Sequence, residues 1–263
     1  MELEDVNSRP IGFFDTGVGG ISVLKKTLEI LPNENYIYFG DSKNAPYGVR
    51  PLEEVKKLTF NAIQLLLDKG CKAIVVACNT ATSAAIEDLR KEYKHIPIIG
   101  IEPALKPAVE MRKKGKILIM ATPLTLAEKK FSNLVKVYAK DSVIESVPCA
   151  GLVEIIEKGT LEGKELNRFL KQKLAKSLKT DIAAIVLGCT HYPFIRKELQ
   201  KVVGKAVSII DGSEGTAREL KRKLEEKELV NTSLSKGKIE ILNSSEEEFL
   251  VRYCYKLLEL KEH

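Results

Sequence analysis

Residues 73–78 read Ala-Ile-Val-Val-Ala-Cys, and residues 184–189 read Ala-Ile-Val-Leu-Gly-Cys. Each is a short apolar run that ends in a small residue, then a cysteine, then polar residues, then a helix-like pattern. The polar followers are Asn79-Thr80 in the first copy and Thr190-His191 in the second. A continuous Val/Ile run bounded by helical patterns is the signature of a strand buried on both faces of a parallel sheet. Two such phrases in one chain predict two related α/β units, each carrying a cysteine at the carboxyl end of a strand.

The same rhythm extends outward from the repeat. Strands are predicted at 10–14, 36–39, 97–101, 116–121, 143–147, 207–210 and 238–242, besides the two in the repeat. Between them, apolar residues recur at helical spacing, as in Ile21, Leu24, Leu28 and Leu31. Pro51 opens another helix whose apolar positions include Leu52, Val55, Ala62 and Leu66, and Gly70 closes it. The class is α/β with mostly parallel sheets. There are too many strands for one small sheet, and no Gly/Ser- or Pro-rich linker divides them, so the crossings between units are expected to be short, near residues 100 and 210. Ser244–Glu247 reads as a capping box for a final helix.

Composition narrows the function classes. The 263 residues are 44% hydrophobic and 30% charged, enough apolar content for a sizeable core. Apolar runs such as 182–187 fall far short of the roughly 20 residues a membrane helix needs. The N-terminal MELEDVNSRP lacks a signal-peptide apolar stretch, so a cytoplasmic protein without membrane association is expected. The net charge of +6 is spread through alternating Lys/Arg and Glu, as in 221–228, which marks solvated helix faces and not a nucleic-acid groove. Five cysteines, an odd number at wide spacing without a CxxC pair, and three histidines argue against a disulfide framework and a zinc site.

In open α/β sheets ligands bind beyond the carboxyl ends of the strands. Cys78 and Cys189 are expected there, each at a helix start, where unpaired N–H groups favour a thiolate. A free thiol titrates at about 8.5, so a modest fall makes it a usable acid or base at neutral pH. A small packed residue at a crowded strand–helix turn is the other reading of each cysteine alone; the repetition favours function. Cys71 and Cys254 read as packing, and Cys149 as loop filling with a possible cleft position. Asp15-Thr-Gly-Val-Gly-Gly20 follows the first strand as a Gly-rich turn. It is not GxGxxG, so a dinucleotide site has little support. His191, two residues from Cys189, is placed to polarise a thiol or donate to a carboxylate.

Four stretches in order, FDTGVGG at 14–20, NAPYG at 44–48, ACNTATS at 77–83 and LGCTHYP at 187–193, resemble the glutamate racemases. GIEPALKPA at 100–108 and ATPLT at 121–125 agree, and the resemblance spans nearly the whole chain. Thr16 stands where most members carry Ser, and Ala150 where Pro is frequent. The resemblance implies a cofactor-independent isomerase that interconverts L- and D-glutamate for bacterial peptidoglycan synthesis. It implies two similar α/β domains related by a pseudo-two-fold axis, with the active site in the cleft between them. The first domain would comprise 1–100 plus 210–263, and the second 101–209. A homodimer and a small-molecule substrate, without metal or cofactor, are implied as well.

In that family one cysteine works on each face of the substrate carbon. Cys78 would deprotonate D-glutamate with help from Asp15, and Cys189 would deprotonate L-glutamate with help from His191. Glu157 would assist His191, although Glu154 lies one turn away on the same predicted helix. Asp15, Thr16, Tyr47, Gly48, Asn79, Thr80, Thr190 and His191 would hold the substrate, with Thr122 and Thr125 as further candidates. Three alternatives are an aspartate racemase of the same superfamily, a pyridoxal phosphate racemase and a non-enzymatic thiol redox or ligand-binding protein. The aspartate enzymes tend to carry Glu at the position of His191.

Overall fold

The computed structural model describes residues 6–140 and 142–260. The chain begins as a βαβ series: β1 (Ile11–Asp15), α1 (Ile21–Ile30), β2 (Tyr36–Gly40), α2 (Leu52–Asp68), β3 (Ala73–Val76), α3 (Asn79–Glu92) and β4 (Ile98–Gly100). It crosses over through α4 (Leu105–Glu110) into β5 (Lys116–Ala121), α5 (Pro123–Ala127), α6 (Lys129–Tyr138), β6 (Ile144–Pro148), α7 (Leu152–Glu157) and α8 (Lys164–Leu174). Next come β7 (Ile182–Gly188), a 3-10 turn at Tyr192–Ile195, α9 (Arg196–Val203) and β8 (Ser208–Asp211). The chain then returns through α10 (Ser213–Glu226), β9 (Ile239–Asn243) and α11 (Glu248–Glu259).

Two sheets result, ordered β4-β3-β1-β2-β9 and β6-β5-β7-β8. Every pairing in both is parallel. Parallel ladders need crossover helices, which cover both faces, and the strand composition follows from that. In the first sheet Ile11, Phe13, Ala73 and Val75 face a core shared with Leu220, Leu224, Cys254 and Leu257 of α10 and α11. Their neighbours Phe14, Ile74 and Val76 face the opposite core with Ile63, Leu66 and Ile86 of α2 and α3. The second sheet repeats the plan. Leu118, Met120, Ile185 and Leu187 pack on α7, α8 and α9 through Ile156, Leu170 and Leu199. Ile117, Ile119, Ala184 and Val186 pack on α4 and α6 through Leu105 and Phe131.

Register sets the site. Phe14 pairs with Val76, and Asp15 with Gly40, so the 15–20 turn and Cys78 leave the first sheet side by side. Ala121 pairs with both Pro148 and Gly188, so Thr122, Cys149 and Cys189 leave the second sheet in one row. Both cysteines of the repeat thus emerge at carboxyl strand ends, where α/β proteins bind ligands.

Two local expectations are corrected. The capping box at 244–247 does not form: Ser244 Oγ accepts from Lys43 N at 3.0 Å instead. Ser245 Oγ accepts from Glu247 N at 3.3 Å, and α11 begins after Glu247 without a side-chain cap. Cys189 does not begin an α-helix. Cys78 is the N-cap of α3, but a 3-10 turn separates Cys189 from α9. The two cysteines therefore sit in different local fields despite their similar phrases.

Candidate active site

One cavity lies between the carboxyl ends of the two sheets, with about 500 Å³ of atom-free space counting its open mouth. Thr16, Pro46, Tyr47, Gly48, Val49, Cys78, Asn79 and Thr80 line it from the first sheet's side. Thr122, Pro123, Cys149, Gly151, Val153, Glu154, Cys189, Thr190 and His191 are among the residues lining it from the second. Cys78 and Cys189, 111 residues apart in sequence, share this cavity and are 6% and 7% exposed, so each thiol reaches it while bulk water is largely excluded.

Cys78 owes its place to the N-cap of α3, where Ala81 N donates to its Sγ at 3.4 Å. Its thiol lies 3.9 Å from Thr16 Oγ1. Contrary to the fall expected at a helix start, burial pushes the Cys78 thiol well up, and the charge of Asp15 adds to this. Asp15 is wholly buried behind the wall and is not among the lining residues. One of its oxygens accepts from Gly17 N at 2.9 Å, and the other from Thr190 Oγ1 at 2.9 Å. Burial raises its carboxyl above the ordinary range, against the opposing pull of His191 and those two bonds.

On the other wall, Cys189 Sγ lies 3.7 Å from His191 Nδ1. The far nitrogen of His191, Nε2, lies 2.6 Å from Glu157 Oε1, and the same oxygen accepts from Val18 N at 3.0 Å. Burial disfavours the His191 imidazolium, yet its bonds to Cys189 and Glu157 prevail and hold it well above its ordinary value. Burial likewise opposes ionisation of Glu157, but His191 and the Val18 N–H draw its carboxyl below the usual range. The two glutamates of α7 differ in their contacts. Glu157 meets His191, whereas Glu154 is exposed at the cavity wall.

The Gly-rich turn receives this pair, with Val18 N–H on the Glu157 carboxylate. A Cβ on Gly17 would fall 2.0 Å from Glu157 Oε1, and one on Gly19 2.3 Å from His191 Nδ1. Glycine is required at both because side chains of the second half seat directly on this backbone. Ser22 Oγ adds a bond to Thr190 O at 2.8 Å across the same boundary.

The remaining walls supply polar groups. Asn79 is 4% exposed, and neither its Oδ1 nor its Nδ2 has a hydrogen-bond partner. A buried amide left unpaired costs about 1–3 kcal/mol, so this side chain is set for something that enters the cavity. The hydroxyls of Thr80, Thr122 and Thr125 form a triangle with edges of 2.9–3.0 Å that joins α3 to α5. Tyr47 lines the cavity with its ring, while its hydroxyl donates to Asp41 Oδ2 at 2.6 Å. Asn44 Nδ2 reaches both oxygens of the same carboxylate at 3.0 Å. Asp41 thereby organises the 44–48 turn, a role the sequence reading missed; its position just past β2, like that of Asp15 at the end of β1, was the available signal. Cys149 lines the cavity more firmly than expected. Its thiol donates to Val147 O at 3.3 Å, and burial pushes it up to about 12.

No lysine or arginine is among the residues that line the cavity. A pyridoxal Schiff base would need a lysine there, so the side chains present do not fit that cofactor. Among the described residues, no group of three His, Cys, Asp or Glu is placed to hold a metal ion. Nor is any described helix long and apolar enough to cross a membrane.

Two parallel α/β sheets present one thiol each to a single cavity between their carboxyl ends. The chain belongs to the Asp/Glu/hydantoin racemase family, whose sequence model matches residues 12–220, and is therefore an isomerase. It is 59% identical over 255 residues to a glutamate racemase of Clostridium novyi, covering 97% of this chain and 98% of that one. It is 60% identical over 259 residues to a glutamate racemase of Clostridium kluyveri, covering 98% and 99%. A crystal structure of glutamate racemase from Francisella tularensis in complex with D-glutamate matches with a TM-score of 0.84 at 29% identity, covering 98% of this chain and 96% of that one.

Proposed function

We propose that the protein interconverts L- and D-glutamate by two-base proton transfer without a cofactor. The observation that carries this reading is the pair Cys78 and Cys189, one from each half of the chain, in a single cavity. Racemisation removes the Cα proton from one face and returns a proton to the other. A lone base in an enclosed site tends to return the proton to the face it left, whereas two groups on opposite walls invert the centre.

In the L-to-D direction the Cys189 thiolate takes the proton from Cα, and the electron pair left behind spreads into the α-carboxylate. The Cys78 thiol then delivers its proton to the other face, leaving Cys189 protonated and Cys78 ionised; the reverse reaction exchanges the roles. His191, held by Glu157, supports proton exchange at Cys189. Asp15 serves the Cys78 side from behind the wall and fixes Thr190. Preorganised donors aimed at developing charge supply the largest share of such catalysis. Asn79, Thr80 and Thr190 fill that role at the α-carboxylate, and Thr16, Gly48 and the Tyr47 ring complete the substrate's seat. Closure of the two halves, residues 1–100 with 210–263 on one side and 101–209 on the other, excludes water during the transfer. The D-glutamate feeds peptidoglycan synthesis in the cytoplasm, and the working form is a homodimer.

The test is incubation with L-glutamate in D2O, followed by proton NMR and polarimetry, with aspartate in parallel. Deuterium at Cα together with loss of optical rotation is the expected result. Retention of both the α-proton and the rotation of glutamate would refute the reading, and turnover of aspartate alone would move the activity to that substrate.

A further inference from the structure

The six-residue helix α7 (Leu152–Glu157) carries Glu157, and a helix this short does not hold itself in water. Its place is set by tertiary contacts. Leu152 and Ile156 are fully buried in the second unit's core. The tip of Glu157 rests on Val18 N. A further contact comes from the other end of the chain. Tyr253 of α11 donates its hydroxyl to Ile156 O at 3.0 Å, across 97 residues of sequence. Ile156 immediately precedes Glu157 in the last turn of α7. Tyr253 is 5% exposed and its ring is part of the first core, with Cys254 and Leu257 beside it on the same helix. The bond therefore crosses from a helix packed on the first sheet to one packed on the second.

We infer that Tyr253 is a positioning residue for the Cys189 half of the reaction, acting through Ile156, Glu157 and His191 without touching the substrate. The connection runs from Tyr253 Oη to Ile156 O, from Glu157 Oε1 to His191 Nε2 at 2.6 Å, and from His191 Nδ1 to Cys189 Sγ at 3.7 Å. The Cys78 wall is built on α3 and the 15–16 turn and has no comparable tie to α11 among the described hydrogen bonds. Loss of the Tyr253 hydroxyl loosens the Cys189 wall directly and reaches the Cys78 wall only at second hand, through the bond of Glu157 to Val18 N. This inference rests on the racemase reading above.

The test is Tyr253→Phe, assayed with L- and D-glutamate carrying deuterium at Cα. Because enantiomers have an equilibrium constant of one, kcat/KM must fall equally in the two directions, by about threefold to tenfold for one lost hydrogen bond. The isotope effects separate the walls. Raising the barrier at Cys189 makes proton abstraction from L-glutamate more rate-limiting, so the isotope effect on kcat/KM rises for the L substrate and falls for the D substrate. Glu157→Gln is expected to shift both effects in the same sense and further. Tyr255→Phe, whose hydroxyl is outside this connection, is expected to shift neither. Unchanged isotope effects in Tyr253→Phe, with or without a slower rate, overturn the inference and leave the racemase reading intact. A mirrored pattern supports one-sided action by Tyr253 but overturns the assignment of enantiomers to cysteines. A wild-type protein inert toward both enantiomers overturns the racemase reading and this inference together.

Discussion

Glu157 Oε1 lies 2.6 Å from Nε2 of His191, and the two side chains are 17% and 3% exposed. With the Cys189 contact, the bond favours the protonated form of the buried imidazole against the cost of burial, and it favours the ionised form of the buried carboxylate. The same contacts seat the imidazole between the carboxylate and the Cys189 thiol, 3.7 Å from its Sγ.

That linkage fixes a pH dependence of stability. His191 is raised above its ordinary value of 6.5, so its share is fully present below that pH and is lost as pH rises through the raised value. Glu157 is lowered from 4.5, so its share is present above that pH and is lost as pH falls through the lowered value. Glu157→Gln keeps the shape and removes the charge. Near pH 6 it is expected to cost about 1.5–3 kcal/mol, or roughly 3–10 °C of melting temperature. The difference from wild type should shrink at both pH extremes. Thermal melts across pH 3 to 10 check this, and a constant offset over the whole range contradicts it.

Cys78→Ser and Cys189→Ser are each expected to reduce racemisation by about 10²–10⁴-fold, the usual contribution of a positioned acid or base. The loss in kcat/KM must be identical from L- and D-glutamate for either variant, whichever wall is damaged. Coupled assays or polarimetry started from each enantiomer measure it. If either variant keeps turnover near that of wild type, the two-base mechanism fails.

Much of this arrangement is legible in the sequence, and the exceptions share a cause. Each strand forms within two residues of where its Val/Ile run predicts, because burial on both sheet faces demands such runs. The cysteines stand out through local repetition, and their wall positions follow from strand ends alone. The hydrogen bond from Tyr253 to Ile156 spans 97 residues, and the Thr80–Thr122 bond spans 42. No local pattern encodes such pairs. Ser244 and Ser245 show the same effect in reverse: a good local capping pattern lost to a bond with Lys43 from 201 residues away. Asp41 lies between these cases, with nearby partners in Asn44 and Tyr47 but a turn geometry that composition does not reveal.

Asp15 carries a stability cost at neutral pH. Its folded value is raised above 3.8, chiefly by burial, so folding loses stability as pH rises from 3.8 through the raised value. Asp15→Asn removes that cost while preserving an acceptor for Gly17 N and a partner for Thr190 Oγ1. The variant is expected to melt at or above the wild-type temperature at pH 7 and to converge with it near pH 3. Its racemisation should fall on the order of tenfold to hundredfold, the worth of a hydrogen-bonded charge. Melting curves at both pH values and a rate assay check the pair of effects. Wild-type turnover in this variant would remove Asp15 from the mechanism.

At the opposite end of the first sheet, stability and activity are expected to separate. Lys72, just before β3, pairs with Glu34 at 2.5 Å, and the two side chains are 1% and 2% exposed. Glu34 also accepts from Asn231 N at 2.8 Å, which ties the 231–238 segment to the sheet. Removing one partner strands the other as a buried charge, at a cost of about 3–5 kcal/mol. Lys72→Met should therefore lower the melting temperature by roughly 6–20 °C. Adding Glu34→Gln should recover part of the loss, since the stranded charge is then gone. The site lies at the carboxyl strand ends and Lys72 at the amino ends, so kcat and KM at 25 °C should remain those of wild type while the variant is folded. Denaturant titration of the single and double variants beside a rate assay measures both. A double variant less stable than Lys72→Met would show that Glu34 contributes more through Asn231 than through Lys72.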